Sequence, residues 1–168
     1  MAKYVQYFVE GECEEKIIKV FQKNKANRFI PGKVEILNAA FEKISKMRIM
    51  QMKKNTTVIL VYDTDKFNID ILKNNVSILK KSANIESVIH VQSIEKFEDE
   101  IVYSTDIKSI NDVFKTANEK DFKNRFIECK ALIEKLSKIN FNFNKIWTRC
   151  SNNKSLHDFT NEGSKIKC

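Results

Sequence analysis

The 168-residue sequence contains little glycine, proline, histidine or cysteine, and it has no long hydrophobic run. Three glycines and one proline leave few positions that force the chain to turn. The longest strongly apolar run, residues 58–62, is far shorter than the ~20 residues that cross a bilayer. The N-terminal residues show no hydrophobic region followed by a cleavage site, so no signal peptide is predicted. We therefore expect a cytoplasmic protein without membrane contact.

The four cysteines are too scattered to indicate a zinc site or a disulfide framework. None of them forms a C-x-x-C pair, and only two histidines could supplement them as metal ligands. Reduced thiols, as in cytosolic proteins, are the expected state. The cysteines are Cys13, Cys129, Cys150 and Cys168.

Positive charge is in excess, with a net charge of +8 and an isoelectric point near 9.2. Such an excess favours polyanionic partners, although a lysine-rich composition also arises in biased genomes. Residues 101–168 carry 13 basic and 8 acidic side chains, whereas residues 1–100 carry 17 and 14. The C-terminal part is therefore the better candidate for contact with phosphates.

The hydrophobic pattern predicts strands and helices in alternation over the first hundred residues. The predicted strands cover residues 4–9, 33–38, 57–62 and 87–91. The predicted helices between them cover residues 12–24, 41–50 and 69–79, the last one capped by Asn68. This order is typical of an α/β fold in which helices cover both faces of a parallel sheet.

Beyond residue 93 the pattern predicts mainly helices, over residues 95–104 and 119–139, and it assigns no element from residue 140 on. We expect a domain over residues 1–105 and a mainly helical C-terminal extension with a basic tail over residues 106–168. Trp147 either anchors a docked C-terminal segment or stacks on a base, and the anchor is favoured.

Two further side-chain types are assigned to the core. His90 lies within an apolar strand, which favours a buried histidine over a catalytic base. Met47, Met50 and Met52 are expected to fill the core next to the second helix.

Acidic residues follow two of the predicted strands. Glu10 comes directly after the first strand, and Asp63 and Asp65 come after the third. Ligands of such folds bind at the carboxyl ends of the strands, so these side chains are expected to meet there. Carboxylates that meet raise one another's pKa unless a cation lies between them. Mg²⁺ binds carboxylates together with phosphate oxygens, which favours phosphoryl transfer.

The motifs around these acids resemble those of the Toprim domain. The sequence Y-F-V-E-G at residues 7–11 is followed by a helix, and V-Y-D-T-D at residues 61–65 follows the third strand. The resemblance covers residues 4–105. Toprim domains occur in topoisomerases, bacterial primases, small maturation ribonucleases and the nucleases of overcoming-lysogenisation-defect proteins. This chain has no segments that resemble the other modules of a primase or a topoisomerase, so the stand-alone nuclease branch is the nearest kind.

The resemblance implies a role for each acid. Glu10 would be the general acid/base, and Asp63 and Asp65 would bind Mg²⁺, with Mn²⁺ as a substitute. Glu14 matches the second acid of the E-G-x-x-E form and would be a second catalytic residue that helps to place another ion, although an acid in a first helical turn also stabilises the helix dipole. Glu98 matches a further metal-binding acid of the nuclease branches, although an acidic run such as residues 98–100 is also typical of a solvated face.

Three functions are considered. The first is a Mg²⁺-dependent nuclease acting on DNA or RNA, in a defence system or in RNA processing. The second is a non-catalytic Toprim-like module that binds nucleic acid or a partner ATPase. The third is a receiver-like domain phosphorylated at Asp63. It ranks lowest because the first strand ends in Glu10-Gly11 instead of an acidic pair, and no lysine ends the fourth.

Overall fold

The computed structural model describes residues 4–168, which form an α/β fold around a four-stranded, all-parallel sheet. The strands are β1 (Tyr4–Val9), β2 (Lys33–Ile36), β3 (Thr56–Asp63) and β4 (Ile85–Ser93), and their order in the sheet is β2-β1-β3-β4. The helices are α1 (Glu12–Gln22), α2 (Lys46–Met50), α3 (Ile69–Lys80), α4 (Phe97–Tyr103), α5 (Glu119–Glu128) and α6 (Leu132–Ser137). The expected fold class is confirmed.

Side chains alternate between the two faces of the sheet, because successive residues of a strand point in opposite directions. On one face, Tyr7 and Val9 of β1 pack in the hydrophobic cluster that includes α1, α4, α5 and α6. On the other face, Phe8 packs in a second cluster with α2 and α3. β1 and β3 lie in the middle of the sheet and are buried on both faces, which explains why they are almost continuously apolar in sequence.

Residues 106–168 contain α5, α6 and three short 3₁₀ helices, at Ile110–Val113, Lys154–Leu156 and Gly163–Ile166. Their apolar side chains belong to the same two clusters as those of the first 105 residues. The division of the chain at residue 105 stays a prediction. No helix within residues 4–168 is long and apolar enough to cross a bilayer.

The C-terminal segment, residues 140–168, covers the free edge of β4. The Glu162 N–H donates to the His90 carbonyl at 2.7 Å, and the Gln92 N–H donates to Asn161 Oδ1 at 3.0 Å. Trp147 is fully buried in the first cluster, whereas Phe159 is buried in the second. The segment therefore passes from one face of the sheet to the other, and Trp147 is the buried anchor.

His90 is buried within β4, as expected. Its Nδ1 lies 3.2 Å from the Tyr62 hydroxyl, and its ring packs against Phe159 with 4.9 Å between centroids. Burial lowers the pKa of His90 to about 4, so the imidazole is neutral at physiological pH.

The prediction of one helix over residues 41–50 is wrong, because only α2 at its end is helical. The buried side chain of Asn75 on α3 explains the difference. Its amide donates to the carbonyls of Ala39 and Glu42, and its Oδ1 accepts from the Ile44 N–H. These long-range bonds satisfy the backbone that helical hydrogen bonds would otherwise occupy.

Two of the three methionines expected in the core lie on the surface. Met47 is 71% exposed and Met50 is 77% exposed, while Met52 packs against the second cluster. The short α2 turns Ile49 inward instead, so the expectation for Met47 and Met50 is wrong.

The predicted helix over residues 119–139 is divided into α5 and α6. Cys129 follows α5 in an extended conformation, with φ −64° and ψ 112°. The apolar spacing continues across this break, and both helices pack on the same cluster. The periodicity therefore gives no sign of the interruption.

Candidate active site

Four of the five acids singled out in the sequence lie around a cavity at the carboxyl ends of the parallel strands. The cavity has a volume of about 290 Å³. β1 and β3 end at this edge of the sheet, and α1 and α4 begin there. α5 of the C-terminal extension forms the opposite wall. The charged side chains that line the cavity include Glu10, Glu14, Asp63, Glu98 and Lys123.

Glu10 and Asp63 are direct neighbours. β1 and β3 pair in parallel with Val9 opposite Val61, so both acids emerge at the same end of adjacent strands. The backbone N–H of Asp63 donates to Glu10 Oε2 at 3.1 Å. Residues 53 positions apart in the chain thus meet, and the bond fixes the Glu10 carboxylate at the rim of the cavity.

Asp63 carries the most perturbed carboxyl group of the cavity. Burial and then the charges of Glu10 and Glu14 raise its pKa to about 9, while a hydrogen bond from Ser93 acts in the opposite direction. Within the described part of the chain, Asp63 Oδ1 is buried and has no hydrogen-bond partner. A buried carboxylate oxygen without a partner is costly, so this atom favours a proton or a cation.

Glu14 is the third residue of α1, and its side chain folds back into the cavity. Burial raises its pKa to about 7; its own backbone N–H lowers the pKa, and the charges of Glu10 and Glu98 raise it. Gly11 permits this conformation, because a Cβ there would lie only 3.3 Å from Glu14 Oε2. Unlike an ordinary acid in a first helical turn, Glu14 is 5% exposed.

The pKa of Glu10 is also raised, mainly by burial. The hydrogen bond from the Asp63 backbone lowers this pKa, and the charge of Asp65 raises it. Asp65 itself is exposed and lies outside the lining of the cavity. Its backbone N–H donates to the Glu95 carbonyl at 3.0 Å. Asp65 is therefore placed near the outer side of Glu10, separate from the buried acids.

Glu98, near the start of α4, is buried and paired with a lysine. Lys123 Nζ of α5 lies 3.1 Å from Glu98 Oε1 and 3.4 Å from Glu119 Oε1. Burial lowers the pKa of Lys123, but Glu98 and Glu119 outweigh this effect and raise it above its usual value. Lys123 thus supplies a positive charge at the edge of an acidic cavity.

No motif or spacing in the sequence distinguishes Lys123 or Ser93 from other residues of their type. Lys123 is one of many lysines, and only the packing of α5 brings it to the cavity. Ser93 pairs with Asp63 in the sheet register, and its Oγ accepts a hydrogen bond from Trp147 Nε1 at 3.2 Å. The C-terminal segment therefore supports Asp63 indirectly, through Ser93.

The donor set of the cavity fits a hard divalent cation. Its acids offer carboxylate oxygens, the ligand type that Mg²⁺ prefers. One of these oxygens, Asp63 Oδ1, has no hydrogen-bond partner in the part of the chain that the structure describes. Within residues 4–168, however, no three His, Cys, Asp or Glu side chains are close enough together to hold an ion as they stand. Binding of an ion therefore requires the carboxylates to move closer to one another.

No protein-family model, curated protein or solved structure matches this chain.

Proposed function

We propose that the protein is a Mg²⁺-dependent nuclease of the Toprim type, which hydrolyses phosphodiester bonds in DNA or RNA. The observation that carries this proposal is the shared cavity of Glu10, Glu14, Asp63 and Glu98, in which Asp63 Oδ1 is buried and has no hydrogen-bond partner among residues 4–168. Mn²⁺ is expected to substitute for Mg²⁺, because both ions accept oxygen ligands.

The acids divide into one general acid/base and a group that would bind the ion. Glu10 lies at the rim of the cavity, its carboxylate is oriented by the Asp63 N–H, and its pKa is raised. These properties suit a general acid/base that takes a proton from water and returns it to the leaving oxygen. Asp63, Glu14 and Glu98 would hold the ion from inside the cavity, and Asp65 would approach it from the exposed side. When bound, Mg²⁺ stabilises the attacking and leaving oxygens of the phosphate.

Cleavage assays test this proposal. Purified protein is incubated with labelled single- and double-stranded DNA and RNA, with Mg²⁺ or Mn²⁺. We expect Asp63→Asn and Glu10→Gln each to lower the cleavage rate ~10²-fold or more. Asp70→Asn, which neutralises an exposed acid in the first turn of α3, should leave the rate unchanged. Cleavage that survives both of the first two substitutions would contradict the proposal.

The alternative is a module that binds nucleic acid or a partner ATPase without turnover. Lys123 favours it, because this lysine already neutralises Glu98 within the cavity. A module of this kind would bind nucleic acid or its partner equally well with and without Mg²⁺, and no product would form.

A further inference from the structure

A second cavity, of about 440 Å³, lies beside the acidic one on α5. The two share Asn124, which lines both. The spacing of helical side chains explains this arrangement. Positions 120, 123, 124 and 127 of α5 face the acidic cavity, whereas positions 121, 124 and 125 face the second one.

The second cavity is polar and carries two unpaired positive charges. Within the described residues, neither Lys115 nor Arg125 forms an ion pair, and both are exposed. The one acid in the lining, Asp121, accepts a hydrogen bond from the side-chain amide of Asn118 at 2.9 Å. The cavity therefore favours an anion, and its charge is opposite to that of the acidic cavity next to it.

Lys115 occupies this position in an unfavourable backbone conformation. Its φ is 53°, in the left-handed region that favours glycine or asparagine. The following turn holds it there, because the Thr116 N–H donates to the Asn111 carbonyl at 3.0 Å. The turn therefore fixes the point at which the Lys115 side chain leaves the backbone beside the cavity.

We propose that this second cavity binds a backbone phosphate of the nucleic-acid strand whose neighbouring phosphodiester enters the acidic cavity. The proposal rests on the proposed function and adds the surface that holds the substrate. Arg125 supplies a guanidinium, which can bind phosphate through two hydrogen bonds, and Lys115 supplies a second charge. Asn124 lies between the two cavities and is placed to contact the strand between them.

The composition of the cavity also indicates what part of the nucleic acid it contacts. Its lining contains no aromatic side chain on which a base could stack. Phosphate contacts carry no sequence information, so binding here should be indifferent to base sequence.

Binding in the absence of divalent ions tests the proposal. Short labelled single-stranded DNA, single-stranded RNA and duplex DNA are titrated with the full chain in EDTA, and anisotropy gives the Kd. The test variant carries Lys115→Asn and Arg125→Gln, because asparagine tolerates the left-handed conformation. The control carries Lys25→Asn and Arg28→Gln, the same substitutions at exposed residues beyond the C-terminal end of α1, away from the cavities.

We expect the test variant to raise Kd about 10-fold or more relative to the control, on at least one of the three probes. For a single strand, loss of two phosphate contacts should reduce the slope of log K against log salt by about 1.4. Two oligonucleotides of different sequence should show the same loss. Thermal unfolding checks that both variants are folded, and the two single substitutions provide the same comparison if the double variant is not.

Equal Kd values for the test and control variants, or no binding to any probe, would overturn the proposal. This outcome is separable from failure of the nuclease proposal, because the assay involves neither cleavage nor metal. If the test variant alone loses binding and no probe is ever cleaved, the phosphate-site proposal is supported and the nuclease proposal is contradicted. If cleavage depends on Asp63 but the test variant binds like the control, the nuclease proposal is supported and the phosphate-site proposal is contradicted.

Discussion

Asp63 and Glu14 hold protons at pH values where most carboxyl groups are ionised. Burial raises the pKa of Asp63 to about 9 and that of Glu14 to about 7, and the charges of Glu10 and Glu98 add to both shifts. At neutral pH, Asp63 is therefore mostly protonated and Glu14 is about half protonated. A cation that binds here must displace those protons, which couples metal binding to pH.

The first prediction concerns proton release. Binding of Mg²⁺ near pH 7 should release about one proton or more per ion, and its affinity should rise between pH 6 and pH 9. Calorimetric titrations in buffers with different ionisation enthalpies measure the number of protons released. An affinity that does not change over this pH range would show that the ion binds elsewhere.

The second prediction concerns the stability of the metal-free protein. A carboxyl group whose pKa rises on folding contributes stability at low pH, and the contribution is lost as pH rises through the folded-state pKa. For Glu14 the loss runs from about pH 4.5 to about pH 7. Glu14→Gln removes the ionisation, so at pH 8 the variant should be more stable than the wild type by about 3 kcal/mol.

Urea denaturation at several pH values checks this expectation. The difference between variant and wild type cancels the contributions of groups that Glu14 does not affect, such as His90. Glu12→Gln, an exposed neighbour in the same helical turn, is the control and should show little change. A variant no more stable at pH 8 than at pH 5, relative to wild type, would mean that Glu14 is ionised freely in the folded protein.

At the scale of elements, α5 contributes the positive charge at the edge of the acidic cavity. It carries Lys123 to Glu98, and it separates the acidic cavity from the basic one. Substituting Lys123→Gln should cost about 1 kcal/mol of stability, a modest value because the ammonium group is partly exposed. The same change should increase the affinity for Mg²⁺, because Glu98 loses its competing cation.

Urea denaturation and calorimetry measure the two effects. Lys120→Gln is the matched control, since Lys120 lines the same cavity on the same helix but, among the described residues, forms no ion pair. It should change stability little and raise Mg²⁺ affinity less than Lys123→Gln does. Weaker Mg²⁺ binding in Lys123→Gln would contradict the role given to Lys123 as a competing cation.

The elements also show which parts of the fold could be predicted from the sequence. The two central strands, β1 and β3, were predictable because burial on both faces requires continuous apolar runs. Glu10 and Asp63 lie where these two strands end. The irregular stretch before α2 was not predictable, because Asn75 holds it through contacts more than thirty residues away. The approach of Lys123 to Glu98 depends likewise on how α5 packs, which no local pattern encodes.

At the scale of the whole molecule, the C-terminal segment is held by a buried acid. The Glu100 carboxylate accepts hydrogen bonds from the Trp147 N–H at 2.9 Å and from Arg149 Nη2 at 2.7 Å, and it also accepts from the Ile94 N–H at 3.0 Å. Trp147 then reaches Ser93 beside Asp63. Because these contacts join distant parts of the chain, no local sequence pattern predicts the structure of this segment.

Gly163 provides a test of this attachment. A Cβ at position 163 would lie 2.0 Å from the Trp147 carbonyl oxygen, a backbone atom that cannot move aside easily. Gly163→Ala should therefore lower the free energy of unfolding by about 2–3 kcal/mol. Ser164→Ala, at the exposed neighbouring position, should be nearly neutral. Equal stability of the two variants in urea denaturation would show that the segment is not tightly attached.

The central claim is the proposal that Glu14, Asp63 and Glu98, distant in sequence, hold one divalent ion in the acidic cavity beside Glu10. Calorimetric titration of Mg²⁺ into wild type, Asp63→Asn and the exposed-site control Asp70→Asn tests it most directly. We predict that wild type and Asp70→Asn bind the ion alike, and that Asp63→Asn binds it at least about 10-fold more weakly. Equal affinity of all three proteins for Mg²⁺ would contradict the claim.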